Sequence, residues 1–124
     1  MACILVVDDN ATNLRLATTL LELDGHAVLG ASDAEGALRT LAEVRPDLIL
    51  MDIGLPGMDG LALTRRIKAD PRLRTVPVVA LTAFAMKGDD LRASAAGCDG
   101  YIAKPIDTRR FVMQVAAALA GRRP

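Results

Sequence analysis

Two apolar runs in this chain stop abruptly on carboxylates. Cys3-Ile4-Leu5-Val6-Val7 runs into Asp8 and Asp9, and Leu48-Ile49-Leu50-Met51 runs into Asp52. Two further runs end on groups that contact anions, Val76 to Leu81 on Thr82 and Gly100-Tyr101-Ile102-Ala103 on Lys104. Three carboxylates brought together repel by about 4 kcal/mol per pair at 4 Å and an effective dielectric of 20, so they neutralise unless a cation is supplied. An all-oxygen set without His or Cys favours a hard ion, and a shallow site with room for waters favours Mg²⁺ over a caged Ca²⁺. Lys104 adds a compact ammonium. Metal and ammonium around one carboxylate suit a phosphoryl group, whose transfer needs positioning and charge neutralisation more than covalent machinery. Asp52 alone leaves the central run, which makes it the natural nucleophile, forming an aspartyl phosphate while Asp8 and Asp9 hold the metal. The Thr82 hydroxyl can donate to a phosphoryl oxygen that exists only after modification, and so bias a two-state element.

That chemistry requires elements that bring distant residues to one edge. Runs of four or five apolar residues are too short for helices and too continuous for half-exposed strands, so they read as strands buried on both faces of a parallel sheet. Such strands deliver the next residue to the carboxyl edge, where open α/β sheets bind ligands. Between them the spacing predicts helices. Asn10 caps a helix over Ala11 to Leu23, with Leu14, Ala17, Leu20 and Leu21 inward and Gly25 as the stop. A short strand, Ala27 to Ala31, precedes Ser32-Asp33-Ala34-Glu35, which has capping-box spacing, and a helix with Ala34, Ala37, Leu38 and Leu41 on one face closes before Pro46. Asp59-Gly60 leads a third helix with Leu63 and Ile67, ended by Asp70-Pro71, and a fourth centres on Leu91 and Ala95 before Gly97. Asp107 caps a last helix with Phe111, Val115 and Leu119 inward. Five β-α units with right-handed crossovers predict a doubly wound, flavodoxin-like (βα)5 sandwich whose parallel five-stranded sheet has the order 2-1-3-4-5. Its switch point places Asp8, Asp9 and Asp52 side by side.

Composition narrows the classes. The 124 residues fit one domain, 1–124, with a loose polar tail at 121–124. Lys plus Arg balances Asp plus Glu at 15 each, and aromatics are only 2%, so neither a global field nor stacking platforms exist for nucleic acid. No apolar run approaches the ~18 residues of a membrane span, and the N-terminus lacks a signal-peptide basic region, which predicts a cytoplasmic protein. Cys3 and Cys98 have no CxxC spacing and read as small buried or half-buried thiols in a reducing compartment. His26 reads as a surface residue, and Arg65, Arg66 and Lys68 as solvent contacts.

Val7-Asp8-Asp9-Asn10, Met51-Asp52 with Leu55-Pro56-Gly57-Met58-Asp59-Gly60, Leu81-Thr82-Ala83 and Tyr101-Ile102-Ala103-Lys104-Pro105 together resemble a two-component response-regulator receiver domain over essentially the whole chain. The resemblance implies that Asp52 is the phosphoacceptor and that Asp8 and Asp9 form the acidic Mg²⁺ pocket. The Asp52 carboxylate and Gly54 carbonyl would complete the metal shell, with Mn²⁺ able to substitute. It further implies that Thr82 and Lys104 contact the phosphoryl group, that Tyr101 is the switch aromatic turning inward when Thr82 moves, and that the Lys104-Pro105 bond is cis. Implied partners are a histidine kinase or histidine phosphotransfer protein as donor and a downstream protein, or a second copy, on the face of the fourth helix, fifth strand and last helix. Phe84 and Met86 are expected on that partner surface, Phe84 also screening the site, because Gly54 has no side chain to do so.

The resemblance is to the stand-alone subtype; a receiver excised from a hybrid kinase or larger regulator is the alternative. Either way the chain is a phosphoacceptor promoting only its own modification, not an enzyme. A Mg²⁺-dependent phosphohydrolase of the haloacid-dehalogenase type would need a second Asp where Gly54 stands. For a flavin binder, Asp8 and Asp9 would repel the cofactor's phosphate.

Overall fold

The computed structural model describes residues 2–53, 60–82, 95–104 and 106–121. Five strands, β1 (Cys3–Val7), β2 (Ala27–Ala31), β3 (Leu48–Asp52), β4 (Val78–Thr82) and β5 (Gly100–Ala103), form one parallel sheet of order β2-β1-β3-β4-β5. Helices α1 (Ala11–Leu23), α2 (Ala34–Glu43) and α3 (Gly60–Ala69), and a C-terminal helix (Phe111–Gly121), cover it. The expected doubly wound order is therefore observed. Of the expected fourth helix, Ala95 and Ala96 are described and helical, with Gly97 at φ +106 as its stop; Leu91 lies outside the described residues.

Alternation along the strands builds the two cores. Leu5, Val7, Ile49 and Met51 point to the side where Ala37, Leu41, Leu63 and Ile67 of α2 and α3 pack. Ile4, Val6, Leu48 and Leu50 point to the other, against Ala17 and Leu21 of α1 and Phe111 and Val115 of the C-terminal helix. Burial on both faces explains why these strands read as unbroken apolar runs.

Local chemistry sets the helix ends. Asn10 Oδ1 accepts from Asn13 N at 3.0 Å, and Gly25, at φ +90, lets the chain leave α1 while its N–H bonds Glu22 O. The cap of α2 is Asp33, whose Oδ1 accepts from Gly36 N at 2.7 Å, rather than the Ser32 of the expected capping box, because the helix starts one residue later. Asp107 was expected to cap the last helix, but that helix begins at Phe111 and Asp107 caps the turn leading into it, its Oδ1 accepting from Arg109 N and its carbonyl from Arg110 N and Phe111 N. Strand β4 begins at Val78, two residues after the predicted start. Val76 N bonds Leu73 O in a turn, and Pro77, lacking an N–H, offers only its carbonyl to Ile49 N.

Two residues read as solvent contacts are tied into the fold. Lys68 Nζ donates to Val76 O at 2.8 Å and pairs with Asp99 Oδ2 at 2.9 Å, and the same oxygen accepts from Val78 N. Three elements thus meet at one ammonium. His26 is half-buried, with Nδ1 accepting from Ala2 N and Nε2 3.2 Å from Asp24 Oδ2. The remaining cations, Arg65 and Arg66, are exposed as expected. No described helix is long and apolar enough to cross a membrane.

Candidate functional site

Parallel pairing in register carries the acids to one edge. Val7 pairs with Met51, so the next residues, Asp8 and Asp52, emerge beside each other; Asp52 pairs with Leu81, so Thr82 follows on the adjacent strand. Thr82 pairs with Ala103 and its carbonyl accepts from Lys104 N at 2.6 Å, which brings the lysine to the same edge. Asp8, Asp52 and Thr82 are all buried, at 1%, 6% and 2% exposure, and Asp9 is exposed. One side of the cluster is sealed and one is open to solvent.

Each charged group has an orienting contact. Asp8 Oδ1 accepts from Asn10 N at 2.9 Å, just before the start of α1, which turns Oδ2 toward Lys104 Nζ, 2.9 Å away. That ammonium also stands 3.5 Å from Asp52 Oδ2. Although the ion pair is close, its direction gives Asp8 Oδ2 no hydrogen bond, leaving a buried oxygen whose bonding capacity is unused. One ammonium faces three acids.

Carboxylate oxygens of Asp8, Asp9 and Asp52 all lie within 4.8 Å of one another. The donors are hard oxygens, one buried oxygen lacks a hydrogen bond, and the cluster opens to water through Asp9; this fits a divalent cation such as Mg²⁺. Asp9 holds its proton more tightly than an ordinary aspartate, first because its side chain hydrogen-bonds Asp52 and then through desolvation and the Asp52 charge, with Lys104 opposing.

A testable consequence follows from the sign of that shift. A carboxyl with a raised folded-state pKa contributes stability below its unfolded value and loses it as pH rises through the raised value. Without metal, the melting temperature should therefore gain less, or fall, as pH rises through and above the ordinary carboxylate range. Added Mg²⁺, which displaces the proton, should raise it more at neutral than at acid pH. Thermal melts of wild type and Asp9→Asn across pH, with and without MgCl₂, check this; a Mg²⁺ increment independent of pH would contradict it.

Of the other predicted residues, Tyr101 lies on β5 with 42% exposure, so its ring is turned substantially to solvent. Gly54, Phe84, Met86 and Pro105 lie outside the described residues. Two contributors escaped the sequence reading. The Asn10 N–H that orients Asp8 is invisible because a backbone group has no sequence signal. Gly60 begins α3 so close to β3 that a Cβ would overlap the Asp52 carbonyl oxygen and stand 2.6 Å from Ile53 Cα. A poor helix former as the first helical residue was the available hint.

Comparison with known proteins bears directly on this arrangement. The family described as the response regulator receiver domain matches residues 4–116. The polar-differentiation response regulator DivK of Brucella anthropi is 44% identical over 116 residues, covering 94% of each chain. Among solved structures, the signal receiver domain of a signal transduction histidine kinase from Syntrophus aciditrophicus superposes with TM-score 0.88 at 36% identity, covering 98% of this chain and 92% of that one. A two-component response regulator from Clostridium difficile gives TM-score 0.91 at 27% identity over 100% of both chains.

Proposed function

Since the chain belongs to the response regulator receiver domain family, we propose that it accepts a phosphoryl group on Asp52 from a histidine kinase or histidine phosphotransfer protein and signals through the altered surface. The observation that supports this best is Lys104 Nζ lying 2.9 Å from Asp8 Oδ2 and 3.5 Å from Asp52 Oδ2, one ammonium shared by two acids of different strands. An Asp52 carboxylate oxygen attacks phosphorus, the P–N bond of the donor phosphohistidine breaks, and the donor imidazole leaves with the bond's electron pair. Lys104 offsets charge on the transferring group, and Thr82, at the tip of the neighbouring strand, donates its hydroxyl to a phosphoryl oxygen. Asp8, Asp9 and Asp52, with the Gly54 carbonyl, would hold Mg²⁺ or Mn²⁺, which supplies further charge neutralisation when bound.

In this reading Thr82 moving toward the phosphoryl group vacates space, and Tyr101 turns inward from its exposed position. The surface that reports the change is the β5 and C-terminal helix face. A cavity of about 770 Å³ borders it, lined by Tyr101, Gln114 and Ala118 and extending past the start of β4 to Lys68, Arg74 and Pro77. The unit of function is one receiver domain over 1–124, and half-buried free Cys3 and Cys98 suit a reducing cytoplasm.

Incubation with acetyl phosphate and intact-mass measurement tests the reading. One phosphoryl group per chain should appear with Mg²⁺ and essentially none with EDTA. Absence of uptake with Mg²⁺ would overturn it, and repeated turnover of a phosphate monoester would favour a phosphohydrolase instead.

A further inference from the structure

The chain is neutral overall, yet residues 65–74 hold five cations, Arg65, Arg66, Lys68, Arg72 and Arg74, against the single acid Asp70. The turn after α3 sets two of them directly ahead of a hydroxyl, in the order Arg72-Leu73-Arg74-Thr75. Thr75 is exposed, and its Oγ1 accepts from the NH2 group of Arg45 at 2.6 Å, while Arg45 Nε donates to Arg72 O at 3.1 Å. Because Arg45 follows α2 and Thr75 precedes β4, one guanidinium clasps two turns at the amino edge of the sheet. Among the described residues no other exposed hydroxyl is held by a guanidinium.

Positive charge at this corner is not cancelled. Neither Arg45 nor Arg74 has an ion pair among the described residues, and the Arg74 side chain has no hydrogen bond there either. The acids of the region are engaged, Asp70 Oδ1 with Arg72 N and Asp99 Oδ2 with Lys68 Nζ. There is also room, since Arg74 and Thr75 line the cavity of about 770 Å³ that reaches Tyr101. A dianion carried by Thr75 would meet one guanidinium already fixed on its oxygen, a second without a partner in the adjacent residue, and open volume.

We propose that Thr75 is a second phosphoryl acceptor, esterified by a hydroxyl-directed protein kinase that uses a nucleoside triphosphate and selects arginine ahead of its target, the ester then being held by Arg45 and Arg74. Thr75 Oγ1 attacks the γ-phosphorus through the lone pair that Arg45 leaves free, and the bond from phosphorus to the diphosphate oxygen breaks. The nucleoside diphosphate departs with that electron pair, and the hydroxyl proton passes to the kinase's base. Other exposed hydroxyls are placed less well. Ser32 and Thr108 adjoin the acids Asp33 and Asp107, and Thr12 and Thr19 lie within α1 with no basic residue in the three positions ahead. The ester is independent of Asp52, whose cluster occupies the carboxyl edge. Its consequence rests on the function proposed above: Thr75 and Tyr101 line one cavity, so the phosphate turns a cationic rim anionic beside the surface that reports phosphorylation.

Incubation of the full chain with Mg-ATP and a purified protein kinase selecting arginine three residues ahead of threonine tests this by intact mass and fragmentation. One phosphoryl group per chain is expected, located on Thr75 and absent from Thr75→Val. The ester should raise the melting temperature by at least about 3 °C, and Arg45→Met should cut that gain by roughly half or more. No uptake, phosphate on another residue, an ester on Thr75 that leaves the melting temperature unchanged or lower, or a gain undiminished in Arg45→Met would overturn the proposal. Since acetyl phosphate is absent, none of these outcomes depends on whether Asp52 is an acceptor.

Discussion

Asp52→Asn is expected to eliminate phosphoryl uptake from acetyl phosphate, leaving the intact mass unshifted where wild type gains one phosphoryl group. The amide is nearly the same size but lacks the anionic oxygen that attacks phosphorus. Asp8 cannot readily take over, because its Oδ1 is engaged by Asn10 N and its Oδ2 faces Lys104 at 2.9 Å. Asp9 is exposed at the outer edge and in this reading is committed to the metal beside Asp8. The substitution also removes one of three clustered carboxylates and relieves repulsion, so the metal-free melting temperature should stay level or rise. That result separates lost chemistry from lost folding. Phosphorylation persisting in Asp52→Asn would assign the acceptor to another residue.

Gly60→Ala should produce the largest loss of stability among alanine substitutions at the described glycines. The new Cβ would meet main-chain atoms, including Asp52 C at 2.8 Å and Ile53 Cα at 2.6 Å, rather than the yielding end of a long side chain. Overpacking against movable side chains typically costs about 1–3 kcal/mol, and a clash with backbone in a buried strand should reach or exceed the top of that range. Against a total stability of about 5–15 kcal/mol this is severe. A melting temperature lower by about 10 °C or more is expected. Relief requires either α3 or the end of β3 to shift, and the latter carries Asp52 away from Lys104, so the surviving folded fraction should also take up phosphoryl groups more slowly. Thermal melts and single-turnover phosphorylation measure the two effects; a variant melting near wild type would show that α3 moves aside freely. By contrast, a Cβ at Gly25 would touch nothing, so Gly25→Ala carries only its positive-φ strain.

Both expectations rest on residues that differ greatly in how visible they were beforehand. Asp52 stood out because four apolar residues preceded it and a carboxylate at a buried strand's end is costly without a purpose. Gly60 did not, because the distance between the start of α3 and the Asp52 carbonyl belongs to packing, and no pattern in one chain reports it. The same division separates Thr82 from Lys68. Thr82 was readable as a strand-end hydroxyl, whereas the Lys68 tie to Asp99 and Val76 O depends on where a flexible side chain meets two distant segments. His26 was misread for a related reason, since its contact with Ala2 N depends on how β1 begins beside β2. The late start of β4 was within reach, because Pro77 has no N–H for the ladder and the apolar pattern at Val76 marks burial without requiring a strand.

Taken alone, the order of amino acids determined the alternation of strands and helices, the 2-1-3-4-5 sheet and the set of acids at its carboxyl edge. These follow from short-range periodicity and the handedness of β-α-β crossovers, which act the same way in any chain with this pattern. Only the tertiary structure decided that Lys104 stands 2.9 Å from Asp8, that carboxylate oxygens of Asp8, Asp9 and Asp52 come within 4.8 Å of one another, and that Lys68 reaches across to Asp99. Those outcomes depend on where long side chains come to rest once remote segments have packed, a property of three-dimensional contact to which local sequence is blind.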